Sequence, residues 1–597
     1  MKIKGLFISM LACTALVGCN NDDVIDNVTP DKDGLKNFAV KVAINVGEPS
    51  STSRALTGNY DDGDTREYGV TKAVVAFYNA QKVYLGQANI SNNWTNDTDL
   101  SVTTEATCVF QAAEKPFYAI ALLNPSTAIE GLLAAGNKID DLRTTSTEAL
   151  VTNDNEFFML NSTYVDVNNV VRTEVELGDN VVEVQDDQTV ANALAGTDAV
   201  EIYVDRVAAK VTMDFTQLTV KGTYTAEGKS YNVYGLKYLN YEEDSDGAQE
   251  SENNQNTVAD KDAPFGIMFE GWALSGTNKS FYPIKKIQSN YTELVSIDWN
   301  VADDYLSHWA EDDNYLTTDG TYPTEAEWNA LTTYSGDSYS LKYEDNILGD
   351  VTKPLYCYEN TYVQGETLNY PAQTYVVLKA QYMDLTTSEG STTATPYEET
   401  VYRIGQVVYK EEAIKNEILG LLFNSYIVKQ VSNETETEIS LTNENIATLR
   451  SKLTLVGGEN FGTNEKVQQI IFDGYKVYKK DGTTEVTNIK NEFVGSAEIL
   501  IHAGGECVYT IPIEHFGTAK LDTRTNKSLG YWGVVRNHWY VLSVTNIAGF
   551  GDPKVNGEPT IPDPTPLKTW AVQCTININA WSKVSQSTEI GSGNEWN

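Results

Sequence analysis

The side chains that most often carry enzymatic or metal chemistry are few and scattered in this chain. Its four histidines, His308, His502, His515 and His538, lie far apart, and none has another histidine or a cysteine within four residues. A zinc or non-haem iron site is usually built from closely spaced ligands, so this spacing argues against a metal centre. Sequence motifs for a serine nucleophile, a phosphate loop or a dinucleotide site are absent. We predict no enzyme, no catalytic residue and no cofactor.

Carboxylates are the abundant ionisable groups, with 83 Asp and Glu against 43 Lys and Arg and a formal net charge of −40. Adjacent acids such as Glu242 and Glu243 are expected by chance at this density, although a glycosidase pair could form between acids distant in sequence. The charge would repel phosphates, so we predict no nucleic-acid partner. A solvated acidic exterior is the simpler interpretation, and an acidic ligand-binding patch is the alternative.

One cysteine has a context that predicts a covalent modification. Lys2 and Lys4 precede an apolar run, and Leu16-Val17-Gly18-Cys19 closes it. The run is too short for a permanent membrane span and is typical of a secretory leader. The closing residues resemble a bacterial lipobox, which implies cleavage before Cys19 and lipidation there. An ordinary leader with a chance cysteine is the alternative.

Four further cysteines would remain in the mature chain. Cys108, Cys357, Cys507 and Cys574 are far apart and each lies in an apolar run with strand-like alternation. Export permits disulfides, but buried thiols acting as small hydrophobic side chains are favoured.

Two segments with strict alternation flank the rest of the chain. Near the N-terminus, one side of a predicted strand carries Phe38, Val40, Val42, Ile44 and Val46. A Ser- and Thr-rich loop with a lone arginine, Arg54, follows before Ala55, and such loops are where proteases cut. The alternative cleavage site is Arg66, where the loop is acidic and Glu67 follows.

The second alternating segment lies near the C-terminus. One side carries Trp570, Val572, Cys574, Ile576, Ile578 and Ala580. A Pro-rich stretch precedes it, and its prolines hold the chain extended and lack amide donors. We predict a strand offered at the end of a stiff linker.

The chain between these segments reads as mainly β with a few short helices. Alternation shifts phase at Arg206, which predicts a bulge or a transfer of the chain between two sheets. Residues 242–261 and 305–343 read as an acidic loop and a long insertion.

Taken in order, these features resemble the fimbrillins of Bacteroides-type bacteria, and most closely a major, shaft-forming subunit of the short fimbria. The resemblance rests on the lipobox, the early strand and lone Arg54, on Val204–Val211 and Val534–Tyr540, and on the Pro-rich linker before the last strand. It implies two transthyretin-like β-sandwich domains and a C-terminal donor strand. The implied divisions are signal peptide 1–18, spacer 19–35, N-terminal strand and cleavage loop 36–54, N-terminal sandwich 55–198, C-terminal sandwich 199–552, linker 553–567, and donor strand with tail 568–597.

The resemblance also implies how the chain is exported, cleaved and assembled. The chain would reach the outer membrane as a lipoprotein, an arginine-specific protease would cut between Arg54 and Ala55, and the N-terminal strand would leave its groove. The donor strand of another copy would then enter, giving a head-to-tail surface fibre that supports adhesion. Tip and anchor subunits would be further partners. The alternatives are a tip or anchor subunit, or a surface lipoprotein that binds glycan.

Overall fold

The computed structural model describes residues 18–19, 34–46, 67, 69–90, 102–145, 157–165, 171–226, 228–235, 265–286, 312, 332–333, 354–361, 374–388, 391–405, 407–457, 466–513, 533–547, 549–553, 572–580 and 587–589. The leader before Gly18, the pair Arg54 and Ala55, Trp570, and the linker beyond Pro553 lie outside these residues. So do the predicted loops 242–261 and 305–343, apart from Asp312, Thr332 and Thr333.

The fold is mainly β, which confirms the predicted class. The strands of the N-terminal region are β1 (Gly18–Cys19), β2 (Lys36–Val46), β3 (Ala73–Tyr78), β4 (Tyr84–Ile90), β5 (Val102–Ala112), β6 (Tyr118–Leu123), β7 (Met159–Asn161), β8 (Tyr164–Val165), β9 (Val171–Arg172), β10 (Val175–Glu176), β11 (Val182–Glu183) and β12 (Val200–Arg206). Its helices are α1 (Thr127–Glu130), α2 (Asp141–Thr144) and α3 (Val190–Ala193).

The C-terminal region holds the remaining strands and helices. Its strands are β13 (Ala208–Asp214), β14 (Val220–Ala226), β15 (Lys229–Tyr234), β16 (Phe265–Ser275), β17 (Thr277–Asn278), β18 (Thr332–Thr333), β19 (Leu355–Tyr358), β20 (Asn360–Thr361), β21 (Tyr375–Ser388), β22 (Ser391–Pro396), β23 (Val401–Ile404), β24 (Val407–Lys410), β25 (Ile427–Ser432), β26 (Thr435–Glu438), β27 (Leu453–Gly457), β28 (Val467–Phe472), β29 (Tyr475–Tyr478), β30 (Ile499–His502), β31 (Glu506–Pro512), β32 (Gly533–Val534), β33 (His538–Ile547), β34 (Val572–Ala580) and β35 (Ser587–Glu589). Its helices are α4 (Glu411–Ser425), α5 (Ile446–Ser451) and α6 (Ile489–Val494).

The N-terminal region is built on one ten-stranded sheet that encloses its own core. Strand order is β1-β4-β3-β6-β7-β12-β2-β11, with β5 on the other edge of β2 and β10 beside β6. Phe77 of β3 stacks on Phe110 of β5 with ring centroids 3.7 Å apart, although these strands are not hydrogen-bonded neighbours. The sheet therefore folds over itself. Its outer side at β3 and β6 is covered by α1 and α2, whose Ile129 and Leu142 are fully buried.

The chain crosses between the two regions at the predicted phase shift. β12 ends at Arg206 in the N-terminal sheet, and β13 begins at Ala208 in a different sheet. Val207 between them is fully buried in the outer core of the N-terminal region. The phase shift is thus a transfer of the chain between two sheets. Because β12 and β13 face different cores, the apolar residues that alternate along the chain must change position when the chain passes from one sheet to the other.

The C-terminal region is a sandwich of two sheets around one core. A five-stranded sheet has the order β19-β13-β33-β34-β35, and a six-stranded sheet has the order β16-β15-β14-β22-β21-β31. Val211, Tyr540 and Leu542 from the first sheet pack in the same cluster as Leu378 and Ile511 from the second. The core thus lies between the two sheets, and each supplies its inner face.

A small α/β unit is inserted between β22 and β31, and the sequence analysis did not anticipate it. Short sheets of β23, β24 and β30, of β25, β26 and β29, and of β27 and β28 surround a separate core with α4. The helix buries Ile414, Ile418, Leu419 and Leu422, which recur with helical spacing.

Candidate functional site

β2 is held along both of its edges. All eleven of its residues pair antiparallel with β5, from Lys36 opposite Ala112 to Val46 opposite Val102. Its other edge runs parallel to β12 over Val42–Val46 and antiparallel to β11 at Phe38 and Ala39. The strand thus fills a slot between two sets of backbone donors and acceptors that would be left unpaired without it.

The core side of β2 carries the side chains predicted to face inward. Phe38, Val40, Val42 and Ile44 are each at most 1% exposed and lie in the main N-terminal core. Burial of such side chains stabilises by about 1.5–3 kcal/mol each. Removal of β2 would therefore open an apolar groove walled by β5 and β12.

The opposite side of β2 is also covered, which alternation alone does not predict. Ala39 is fully buried against Val184 and Leu194, near the short helix α3, and Ala43 is 8% exposed. Lys41 reaches out to donate a 3.1 Å hydrogen bond to the carbonyl of Thr197. A strand that replaces β2 must therefore present small or slender residues at the positions of these two alanines.

The predicted donor strand is paired within its own chain. β34 runs antiparallel to β33, from Val572 opposite Ile547 to Ala580 opposite His538. Ile576 and Ile578 lie opposite Leu542 and Tyr540, which are fully buried. On its outer edge, the partner of β34 among the residues that the structure describes is β35, at Thr575, Ile576 and Asn577. The strand is not free in the single chain, because β33 offers it an unpaired edge.

The base of the C-terminal linker is fixed to the sandwich. Asp552 exchanges two backbone hydrogen bonds of 2.8 Å with Val508 of β31, and its carboxylate lies 2.8 Å from Arg403 Nη2. A Cβ at Gly551 would meet the carbonyl oxygen of Val508 at 2.4 Å, so the close approach requires glycine there. The chain is therefore held to the sandwich as far as Asp552.

A buried ion pair of the C-terminal region lies next to its boundary with the N-terminal region. Arg536 Nε donates to Glu359 at 2.9 Å, a second guanidinium nitrogen contacts the other carboxylate oxygen, and Pro283 and Tyr282 accept further bonds through their carbonyls. The neighbouring Ile284 packs into the outer core of the N-terminal region. Burial is the main cause that lowers the pKa of nearby Lys285 to about 8, partly offset by Glu359.

Arg536→Met is expected to lower the free energy of unfolding by about 3–5 kcal/mol, because it leaves the carboxylate of Glu359 buried without its cation. Lys36→Met provides the matched control. Lys36 is 54% exposed and its partner Glu183 is 37% exposed, so the free energy of unfolding should fall by less than about 1 kcal/mol. Urea denaturation followed by tryptophan fluorescence compares the two. Equal midpoints would show that the junction pair contributes nothing.

The remaining predicted residues fall as follows. Val46 is paired on both edges of β2, and Cys19 pairs with Ile90 of β4 through a two-residue parallel strand. Val572, Cys574 and Ala580 lie in β34 with the other donor residues, and the strand begins at Val572. Cys108, Cys357 and Cys507 are buried thiols, and burial raises the pKa of Cys507 to about 12.

Two further observations concern the described ranges alone. They contain no helix whose length and apolarity would suffice to cross a membrane. They also contain no group of three or more His, Cys, Asp or Glu residues placed to hold a metal ion.

Three residues that matter at this site were not found from the sequence. Glu67 is a buried acid a few residues before β3, Arg403 lies in the inserted unit, and Glu359 pairs with Arg536. Their partners are distant in sequence, so no local pattern marks them. The alternation of Phe38–Ile44, in contrast, was a sufficient signal for β2.

Comparison with known proteins bears on this arrangement. Residues 501–587 match the family model for the major fimbrial subunit protein type IV, fimbrillin, C-terminal. The matched span includes β31, β33 and β34. No curated protein matches the chain.

Several solved structures are similar over most of the chain, but only weakly. A candidate cell adhesion protein from Parabacteroides distasonis is 10% identical, with coverage of 92% of this chain and 98% of that one and a TM-score of 0.35. A candidate cell adhesion protein from Bacteroides eggerthii is also 10% identical, with coverage of 92% and 97% and a TM-score of 0.30. The tip fimbrial protein Mfa3 from Porphyromonas gingivalis, C-terminally truncated, is 8% identical, with coverage of 91% and 100% and a TM-score of 0.28. Scores this low carry no argument about function.

The family model is therefore the comparison that bears on identity, and it matches the part of the chain that contains the last sandwich strands and the predicted donor strand. Over residues 501–587 the chain is similar to the C-terminal part of the fimbrillins, the major fimbrial subunit proteins type IV.

Proposed function

We propose that the chain is the shaft-forming subunit of a surface fimbria and that it polymerises by donor-strand exchange. The observation that carries this proposal is the position of β2. It is buried, paired on both edges, and followed directly by the segment with the lone Arg54. Cleavage there would separate β2 from the sheet it completes without breaking any later strand, so the groove could be emptied while the domain stays connected.

Strand pairing supports the direction of exchange. β2 has partners along its full length on one edge and at β12 and β11 on the other, whereas β34 has β33 on one edge and the three residues of β35 on the other. On β33, β34 is hydrogen-bonded mainly along one edge. In an emptied β2 groove the same strand would be hydrogen-bonded along both edges. The gain in backbone hydrogen bonds and apolar burial would drive the fibre.

The proposal requires two releases, one from each end of the chain. β2 must leave its groove after cleavage, and β34 must leave β33 before it can reach another subunit. Because the acceptor groove and the donor strand lie on different regions of the chain, the contact is head-to-tail and adds subunits without closing. A tip subunit would be expected to lack the donor strand, so the segment 568–597 favours a shaft role.

Lipidation and trimming belong to the same proposal. The precursor would be anchored by lipid at Cys19 and exported to the outer membrane, where an arginine-specific protease would remove residues up to Arg54. Copies of the chain, together with tip and anchor subunits, would then be its partners. The function is structural and supports adhesion rather than catalysis.

N-terminal sequencing of the protein taken from fimbriae on the cell surface tests the trimming step. We expect Ala55 as the first residue, because Arg54 is the lone basic residue of the Ser- and Thr-rich stretch Gly47–Gly58 that directly follows β2. Mass spectrometry of the membrane fraction should detect the lipidated form that begins at Cys19 as a precursor. Fimbriae made only of chains that begin at Cys19 would contradict the proposal.

A further inference from the structure

Glu67 anchors the chain just after the proposed cleavage loop. It is 0% exposed, and its carboxylate oxygens lie 2.8 and 3.1 Å from Lys210 Nζ. The hydroxyl of Tyr356 donates to the same carboxylate, and the backbone carbonyl of Glu67 accepts a 2.9 Å hydrogen bond from Arg206 Nε. Side chain and backbone of this one residue are therefore both bound.

The residues that hold Glu67 come from the point where the chain crosses between the two sheets. Arg206 ends β12, Lys210 lies in β13, and Tyr356 lies in β19. Lys210 Nζ also lies 3.9 Å from the centre of the Trp539 ring, which covers the ion pair. Because both charges are withdrawn from water, removing one leaves the other buried, which makes the anchor strong.

A second anchor, Asn124, holds the chain a few residues after Glu67, at Gly69 and Thr71. Asn124 adopts a left-handed backbone conformation with φ of 53°, and its side-chain oxygen accepts from the amide of Thr71 at 2.8 Å. Its side-chain nitrogen donates to the carbonyl of Gly69 at 2.8 Å. The path from Glu67 to β3 is thus tied to the sheet at successive points.

These anchors bear on which arginine a protease can use. The sequence between β2 and β3 contains two arginines, Arg54 and Arg66, and Glu67 directly follows the second. A protease binds residues on both sides of the bond it cuts, so cleavage after Arg66 requires Glu67 to leave its buried position. Such cleavage proceeds only through local opening of the folded chain.

We propose that Glu67 and Lys210 determine processing specificity by protecting the bond after Arg66 from arginine-specific proteases. Cleavage is then directed upstream, to Arg54. The same contacts hold the shortened N-terminal segment on the sheet after β2 has been cut away. The functional meaning rests on the proposed trimming, whereas protection of the bond after Arg66 is a property of the folded chain itself.

Limited digestion of the purified full chain with an arginine-specific protease tests this inference, with the new N-termini identified by mass spectrometry. The native chain should give no product that begins at Glu67, although a synthetic peptide of residues 60–73 is cut after Arg66. Lys210→Met leaves the sequence around that bond unchanged and removes the buried cation. It should raise the rate of cleavage after Arg66 by about 100-fold, since the open fraction of the chain governs that rate.

Lys72→Met is the matched control, because it removes a half-exposed lysine of the same segment before β3, which pairs with Glu130 of α1. This variant should leave the rate of cleavage after Arg66 unchanged. If Lys210→Met does not fold, Tyr356→Phe removes a single hydroxyl from Glu67 and should give a smaller rise. Native chain cut after Arg66 as fast as the peptide, or folded variants as resistant as the native chain, would overturn the inference. A product that begins at Ala55 reports separately on the proposed function.

Discussion

Arg54→Ala is expected to abolish fimbriae while the subunit is still exported. Without cleavage in the loop, β2 stays covalently joined to the chain it completes, and its buried Phe38, Val40, Val42 and Ile44 compete with any incoming strand at very high effective concentration. The groove therefore remains closed. Electron microscopy of the cell surface should show no fibres, and immunoblots should show full-length subunit in the membrane fraction.

Arg66→Ala supplies the control for this change. It removes the other arginine between β2 and β3 and should leave fibre number and length as in the native strain. The reason is that the buried Glu67 already protects the bond after Arg66 from cleavage. Normal fibres from Arg54→Ala would show that β2 is not released by cleavage at this position. Loss of fibres from both variants would point instead to a general defect in export.

Ile576→Asp is expected to abolish fibre growth by subunits that have already been trimmed. In the single chain Ile576 lies opposite the buried Leu542, on the apolar side of the alternation. An unpaired carboxylate placed in an apolar groove costs several kcal/mol. A loss of about 3 kcal/mol corresponds to about 100-fold weaker binding of the donor strand. Polymerisation of purified, trimmed subunits, followed by light scattering, measures the effect.

Asn577→Asp is the matched control, since it adds the same charge one residue along, on the polar side of the alternation. This variant should polymerise much faster than Ile576→Asp, because Asp has the size of Asn and the outer side of the groove, although partly covered, also accommodates the polar Lys41. Equal rates for the two variants would mean that the inward side has been assigned wrongly or that the strand is not the donor.

The pairing of β34 with β33 affects how this experiment must be read. Ile576→Asp would weaken the strand in its own chain as well as in a neighbour, and deletion of 569–597 would leave β33 as an open edge. A synthetic peptide of residues 568–597 separates the two effects, because it offers the donor strand to a trimmed subunit in trans. The native peptide should block polymerisation, the Ile576→Asp peptide should not, and the Asn577→Asp peptide should.

Features of the fold that depend on local periodicity could be predicted from the amino-acid sequence. Alternation predicted a strand over Phe38–Val46, which lies within β2, and identified its core side. The phase shift at Arg206 predicted a bulge or a transfer between sheets, and the structure has the transfer. The mainly β class followed from the same pattern. These predictions succeeded because a strand's two faces are encoded in neighbouring residues, whatever the partner strands are.

Tertiary structure decided which partners each strand and charge would have. Alternation predicts a strand over Trp570–Ala580, but not that β33 is the partner of its described part, Val572–Ala580, in the single chain. The burial of Ala39, on the side of β2 away from the main core, depends on Val184 and Leu194, which lie more than a hundred residues away in sequence. In the sequence Glu67 is one acid among several in an acidic stretch, and only the folded chain shows that it binds Lys210 and Tyr356. Hydrogen bonds and ion pairs between distant segments form only when the whole chain has folded, so no local pattern records them.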